Sequence, residues 1–192
     1  MIPEPPPLGP RIRALRLQRG LSLADLARAT GVSEATMSRI ETGASAVSAP
    51  HLYGLAHELG VEIAALFSPE AATLRPGVRS LTRAGEGESF ASPRLQARLL
   101  NADLLHKAMT PFLNRATATT LAEAGGLATH PGEEWLYVLR GPLWLHSDSH
   151  APLCLQTGDS LYFDASTPHA YLAGSDAGAE FLVLSSQPAP SP

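Results

Sequence analysis

His130 and Glu134 stand four residues apart in THPGEEWLYVLRG (129–141), just ahead of an apolar run closed by Gly141. An imidazole and a carboxylate at that spacing can bind a metal ion, rim a ligand pocket, or simply open a strand. A second set of capable side chains lies in SEATMSRIETG (33–43). At about 100° per helical residue, Met37 and Ile40 share one side. Ala35, Ser38, Arg39 and Thr42 share the opposite side, with Glu34 at its edge. A face this short, polar and free of bulk can approach base edges in a major groove. Arg39 can donate two hydrogen bonds to guanine, and Glu34 can accept from a cytosine amino group. Ser22 and Ser33, at predicted helix N-termini, can hold phosphate oxygens. Arg13, Arg19 and Arg28 are candidate contacts to the nucleic-acid backbone. Cys154, alone of its kind and set in PLCLQ, excludes an intrachain disulfide and reads as a buried apolar side chain.

Regular helix punctuation surrounds the polar face. Residues 11–20 form a predicted helix stopped by Gly20, and residues 22–30 open with Ser22 and Asp25 in a capping-box pattern before Gly31. Residues 33–43 run from Ser33 to Gly43; residues 48–60 have Ser48 as cap, Pro50 in the first turn and Gly60 as stop. A short fifth helix, IAALF, precedes Ser68-Pro69. Five short helices with brief joints are the helix-turn-helix plan.

Residues 68–90 mix Pro, Gly, Ser and charge without periodicity, which predicts a linker with a short strand near Val78. Beyond it, RLQARLL, FLNRATATTLA, EWLYVLRG, LWLHS, LCLQTGDSLYFDA, AYLAG and EFLVLSS alternate with Gly, Pro, Asp and Ser. Seven or more short strands predict a jelly-roll sandwich or barrel. The fold class is α+β multidomain: an all-α five-helix bundle, then an all-β barrel. Domain bounds are 9–67, a linker at 68–90, and 91–186.

Charge follows the same division. Residues 1–69 hold six basic and six acidic side chains, residues 70–115 seven against four, and residues 116–192 one against eight. A formal net charge of -4 argues against wholesale nucleic-acid coating but leaves a local patch open. No apolar run reaches the ~18 residues of a membrane span. MIPEPPPLGP has neither a basic n-region nor an apolar h-region and reads as an extended proline-rich arm, as does QPAPSP. With the single cysteine, these features predict a cytoplasmic protein.

The stretches IRALRLQRGLSLADLARATGVSEATMSRIETG and LYGLAHELGVEIAALF resemble the DNA-binding domain of lambda/434-type phage repressors and xenobiotic-response-element regulators. That resemblance implies that the second and third helices form the DNA-reading pair. It also implies that Arg16 and Glu41 make a buried structural pair. Leu23 stands where many members carry a backbone-contacting glutamine. The stretches HPGEEWLYVLRG and GDSLYFDASTPHAYLAG resemble the two motifs of the cupin superfamily. Here His130, Glu134 and Gly141 keep the first motif's spacing, while Ala128 occupies its first histidine position. In the second motif Gly158 opens the turn and His169 falls on the ligand position, with Asp164 and Ser166 replacing the usual proline and glycine. The resemblance thus implies a His130, Glu134, His169 set able to hold one divalent transition metal, Fe, Zn or Mn. Tyr162 and Tyr171 join these three as candidate pocket residues.

Taken together, these features predict a transcription regulator that is not an enzyme and has no catalytic residue. Ser22, Arg28, Ser33, Glu34, Ala35, Ser38 and Arg39 would bind a double-stranded operator. The barrel would bind a small-molecule effector, and the protein would work as a homodimer away from membranes. The alternative is an Fe(II)-dependent oxygenase, since the domain order and the His-Glu-His set also resemble the hydroxypropylphosphonate epoxidases.

Overall fold

The computed structural model describes residues 7–47, 49–67, 72–92 and 94–186. Ser48, Ser68-Pro69, the tail QPAPSP and the proline-rich start through residue 6 lie outside the described residues. In chain order the helices are α1 (Leu8–Gln18), α2 (Leu23–Ala29), α3 (Glu34–Glu41), α4 (Ala49–Glu58) and α5 (Ile63–Phe67). The strands are β1 (Ala72–Thr73), β2 (Glu88–Ala91), β3 (Leu95–Leu99), β4 (Leu104–Leu105), β5 (Met109–Ala116) and β6 (Glu133–Arg140). They continue with β7 (Leu143–Ser147), β8 (Leu153–Leu155), β9 (Ser160–Asp164), β10 (His169–Ala173) and β11 (Ala179–Ser186).

The chain forms two compact units, residues 1–84 with 101–107, and residues 85–100 with 108–192. In the helical unit α2 opens on a complete capping box. The Ser22 hydroxyl accepts from the Asp25 amide at 3.1 Å, and the Asp25 carboxylate accepts from the Ser22 amide at 3.2 Å. Ser33 caps α3 by accepting from the Thr36 amide. Gly20, Gly31, Gly43 and Gly60 follow their helices at positive φ, the conformation that ends a helix at least cost. Ile12, Leu26, Met37, Leu52, Leu55, Leu59 and Leu66 build the core.

α1 begins three residues before its expected start at 11, which corrects the reading of 7–10 as an extended arm. Pro10 falls in the first turn, where its missing N–H costs nothing. Gly9 is buried there because α1 passes close to the end of α3. A Cβ on it would lie 2.3 Å from the Ile40 carbonyl oxygen. Nearby, Arg16 Nε and Nη2 donate to the two Glu41 carboxylate oxygens at 2.6 and 2.9 Å, and Nη1 donates to the Leu21 carbonyl. Both residues are buried, as the resemblance implied.

Residues 101–107 interrupt the strand-rich sequence yet belong to the helical unit. β4 pairs in parallel with β1, Ala72 opposite Leu104. The Asn101 amide donates to the Thr82 hydroxyl and the His106 amide to the Glu62 carboxylate, both segments lying in this unit. No strand forms near Val78, where the chain turns instead.

In the second unit a six-stranded antiparallel sheet has the order β2-β3-β5-β11-β6-β9, and a three-stranded antiparallel sheet the order β10-β7-β8. β5, β6 and β11 alternate between inward and outward side chains, whereas β10 is buried on both faces. Thr110, Phe112 and Asn114 of β5 face inward with Phe181, Val183 and Ser185 of β11 and Glu134, Leu136 and Val138 of β6. The Tyr171 ring of the small sheet meets that of Phe181 of the large one at 4.8 Å, tilted by 50°, so the two inner faces share one core. The strand expected to run on to residue 122 ends at Ala116, and the chain beyond it places Ala118 and Ala124 against Leu172 and Trp144 on the small sheet's other face. Cys154 is half-buried on β8 rather than deep in the core.

Candidate functional site: an exposed helix face and a buried His-Glu-His centre

The polar side of α3 is turned to solvent. Ser33, Glu34, Ala35, Ser38, Arg39 and Thr42 are all exposed, while Met37, Ile40 and Glu41 are buried. The helix is therefore anchored along one side and clear along the other. Ser22 is also exposed, but its hydroxyl already donates to Asp25 at 2.5 Å, so its resident role is capping. Arg28 is exposed and pairs loosely with Asp25 at 3.4 Å. Arg19 donates to the Gly60 carbonyl at 3.1 Å and so helps hold the helical unit together.

Four of the five expected pocket residues come together inside the second unit. Glu134, the second residue of β6, points inward from the large sheet and is 5% exposed. His169 opens β10 on the small sheet and is fixed by backbone bonds in both directions with Ala128, at 2.9 and 2.8 Å. His130 is held by its amide bond to the Ala165 carbonyl at 3.1 Å. The folded chain thus closes a gap of 35 to 39 residues that spacing alone does not bridge. One ligand atom from each of His130, Glu134 and His169 lies within 4.8 Å of the others.

The hydrogen bonds prepare this centre for a cation. His130 Nδ1 lies 3.2 Å from the Pro131 carbonyl and His169 Nδ1 2.9 Å from the Thr167 carbonyl. A carbonyl can only accept, so each ring turns an Nδ1–H toward its carbonyl, and Nε2, the atom facing Glu134, is the one left to bind a cation. Nε2 of His130 lies 3.0 Å from Glu134 Oε1, and Nε2 of His169 lies 3.9 Å from Oε2. Tyr171 donates to Oε2 from beside them. Phe163 and Tyr171 meet the His169 ring edge-on at 5.0 and 5.6 Å and restrict its rotation.

Burial pushes the Glu134 carboxyl pKa up, but the His130 bond, the two imidazoles and the Tyr171 hydroxyl outweigh it, leaving a net depression. Burial likewise lowers the His169 pKa, and the fields of His130 and Arg94 add to that against the opposing pull of Glu134. The centre therefore favours neutral His169 and an ionised Glu134, the states in which both bind metal. Two imidazoles and one carboxylate fit a divalent transition ion bonded at about 2.0–2.2 Å, with positions left for other ligands.

Tyr162 does not join this group. It is 61% exposed on the outer face of β9, donating to Glu133 at 2.7 Å. Its neighbour Phe163 takes the inward place, because side chains alternate along a strand; this corrects the pocket assignment. Ser185 was absent from the sequence reading although it is the Cα partner of Glu134 on the inner face. No local signal marks a serine in EFLVLSS, and only the pairing register reveals its position.

Residues 12–66 match the family described as Helix-turn-helix, and residues 120–185 match the family described as Cupin domain. The chain thus joins a lambda-repressor-type helix-turn-helix domain, of the kind that binds double-stranded DNA, to a cupin domain. Among solved structures it resembles an HTH_3 family transcriptional regulator from Vibrio cholerae. Identity is 22% and the TM-score 0.63, with 95% of this chain and 96% of that one covered. It also resembles the hydroxypropylphosphonic acid epoxidase from S. wedmorenis at 21% identity and a TM-score of 0.47, covering 93% and 96%. Likeness at these identities speaks to fold and not to activity. No curated protein matches the chain. Among the described residues no helix is long and apolar enough to cross a membrane.

Proposed function

We propose that this protein is a metal-dependent, effector-sensing transcription regulator rather than an enzyme. The observation that carries the reading is the solvent-facing polar side of α3, anchored from behind by Met37 and Ile40. Glu34, Ala35, Ser38 and Arg39 read the groove; Ser22, Ser33 and Arg28 flank it at the backbone. One such helix covers a half-site of about five base pairs, so the working species is a homodimer on a two-fold operator. The His130, Glu134, His169 centre, with Tyr171 behind it, holds the metal and the effector. Effector binding changes operator affinity only by its differential affinity for the two DNA-binding states. Against the epoxidase-like alternative, residues 1–69 contain no lysine that could grip a phosphonate.

Gel shifts with the upstream region of the protein's own operon test this. Arg39→Ala is expected to weaken binding by about 1–3 kcal/mol, the range of a lost bidentate base contact. Equal affinity for wild type and variant would remove α3 as the reading helix. Turnover of a phosphonate with Fe(II) and dioxygen would instead establish the enzyme.

A further inference from the structure

The inner face of the large sheet is apolar along its middle, with Phe181 and Val183 of β11 beside Val138 and Leu136 of β6. The character changes at the end that carries the metal centre. There Thr110, Ser185 and Glu134 are Cα partners in one row across β5, β11 and β6. Ser185 is 0% exposed, and its hydroxyl makes no hydrogen bond among the described residues. A buried hydroxyl without a partner costs stability that an alanine of nearly the same volume would not, so its partner is to be sought in a bound molecule.

Charge limits what that molecule can be. A divalent cation held by two neutral imidazoles and the single Glu134 carboxylate leaves one positive charge over. Arg94, bonded to the Gly126 carbonyl, adds a further positive field that reaches His169. The group that completes the site is therefore anionic. Side chains on paired strands have Cβ atoms about 4.5–5.5 Å apart, so a second polar group reaching Ser185 stands only two or three carbons from the anionic one.

We propose that Ser185 is a specificity-determining residue of the effector site, bonding a hydroxyl or amino group on a short carboxylate whose charged end sits at the His130, Glu134, His169 centre. This rests on the metal-dependent effector site proposed above. Asn114 supplies an internal control. Its Oδ1 is also buried without a partner among the described residues, but it lies four residues along β5 from Thr110, about 13 Å away and beyond so short a ligand.

The test uses the full-length protein loaded with Co(II), titrated with 3-hydroxypropionate and with propionate, which differ by one hydroxyl. Cobalt absorption and heat of binding are the readouts. Wild type is expected to prefer 3-hydroxypropionate by about tenfold, near the upper end of one neutral hydrogen bond. Ser185→Ala should reduce that preference to within about twofold, with unchanged affinity for cobalt and for propionate. Asn114→Leu should leave it intact. A preference that persists in Ser185→Ala, or a wild type with no preference or no carboxylate binding, overturns the inference alone. If no cobalt spectrum develops, the metal reading falls and takes the inference with it.

Discussion

Glu134 is a carboxylate taken out of water, and it stays ionised because three neighbours act on it together: His130, His169 and the Tyr171 hydroxyl. Tyr171 is the least obvious of these and the easiest to isolate. Tyr171→Phe keeps the ring against Phe181 and removes only the hydroxyl. Metal affinity is expected to fall by about tenfold, the lower end for groups that orient a metal ligand, with the far-ultraviolet circular dichroism unchanged. The same residues make the metal-free protein sensitive to acid. Glu134 and His169 both hold their pKa below the ordinary values of 4.5 and 6.5, so the unfolded chain binds protons that the folded chain refuses. Their contribution to stability is fully present above about pH 6.5 and is lost as the pH falls through the lowered values. Thermal unfolding of the apoprotein should show a melting temperature that is level near pH 7–8 and declines on acidification. A rise between pH 6.5 and 4 would contradict this account of the centre.

At the level of elements, the helical unit depends on how closely α1 approaches α3. Gly9 makes that approach possible, and Arg16 with Glu41 holds it by a two-pronged ion pair. Gly9→Ala would place a methyl group against the Ile40 carbonyl, a backbone atom that cannot swing aside. The expected cost is about 1–3 kcal/mol in a denaturant melt of the helical unit, while the β unit unfolds as before. A neutral result would mean that α1 is free to shift. The end of α3 that Gly9 and Glu41 brace is also the end nearest Arg39. Packing on the inner side of this helix therefore sets where its outer side presents charge.

For the whole molecule, the division into units does not follow the sequence order. β2 falls within the stretch read as linker, yet it pairs with β3, Glu88 opposite Leu99, in the large sheet. Residues 101–107 lie between β3 and β5 but find their partners at Glu62, Ser80 and Thr82. A fragment of residues 91–186, cut at the domain bounds that composition suggests, would lose all of β2 but Ala91 and remove the partners of Asn101 and His106. It is expected to be less stable than the β unit of the full chain by about 1–3 kcal/mol. Calorimetry would register this as a melting temperature several degrees lower. Equal melting temperatures would show that β2 and residues 101–107 contribute nothing.

Much of this protein was legible in one dimension because the relevant physics is local. Helix caps such as Ser22 with Asp25, the glycine stops, and the two faces of α3 depend on residues within a turn or two of each other. Strand alternation in β6 and β11 is equally local, whereas Glu134 was set apart by its spacing from His130 and by the cupin resemblance. What lay beyond reach was pairing and proximity. The meeting of His130 and Glu134 with His169 was suggested by resemblance and drawn by β10 and its bridge to Ala128. The outward turn of Tyr162, the place of Ser185 beside Glu134 and the contact of Gly9 with α3 follow from register and packing. Those are set by how distant segments bury their apolar faces together, a property that no window of neighbouring residues contains.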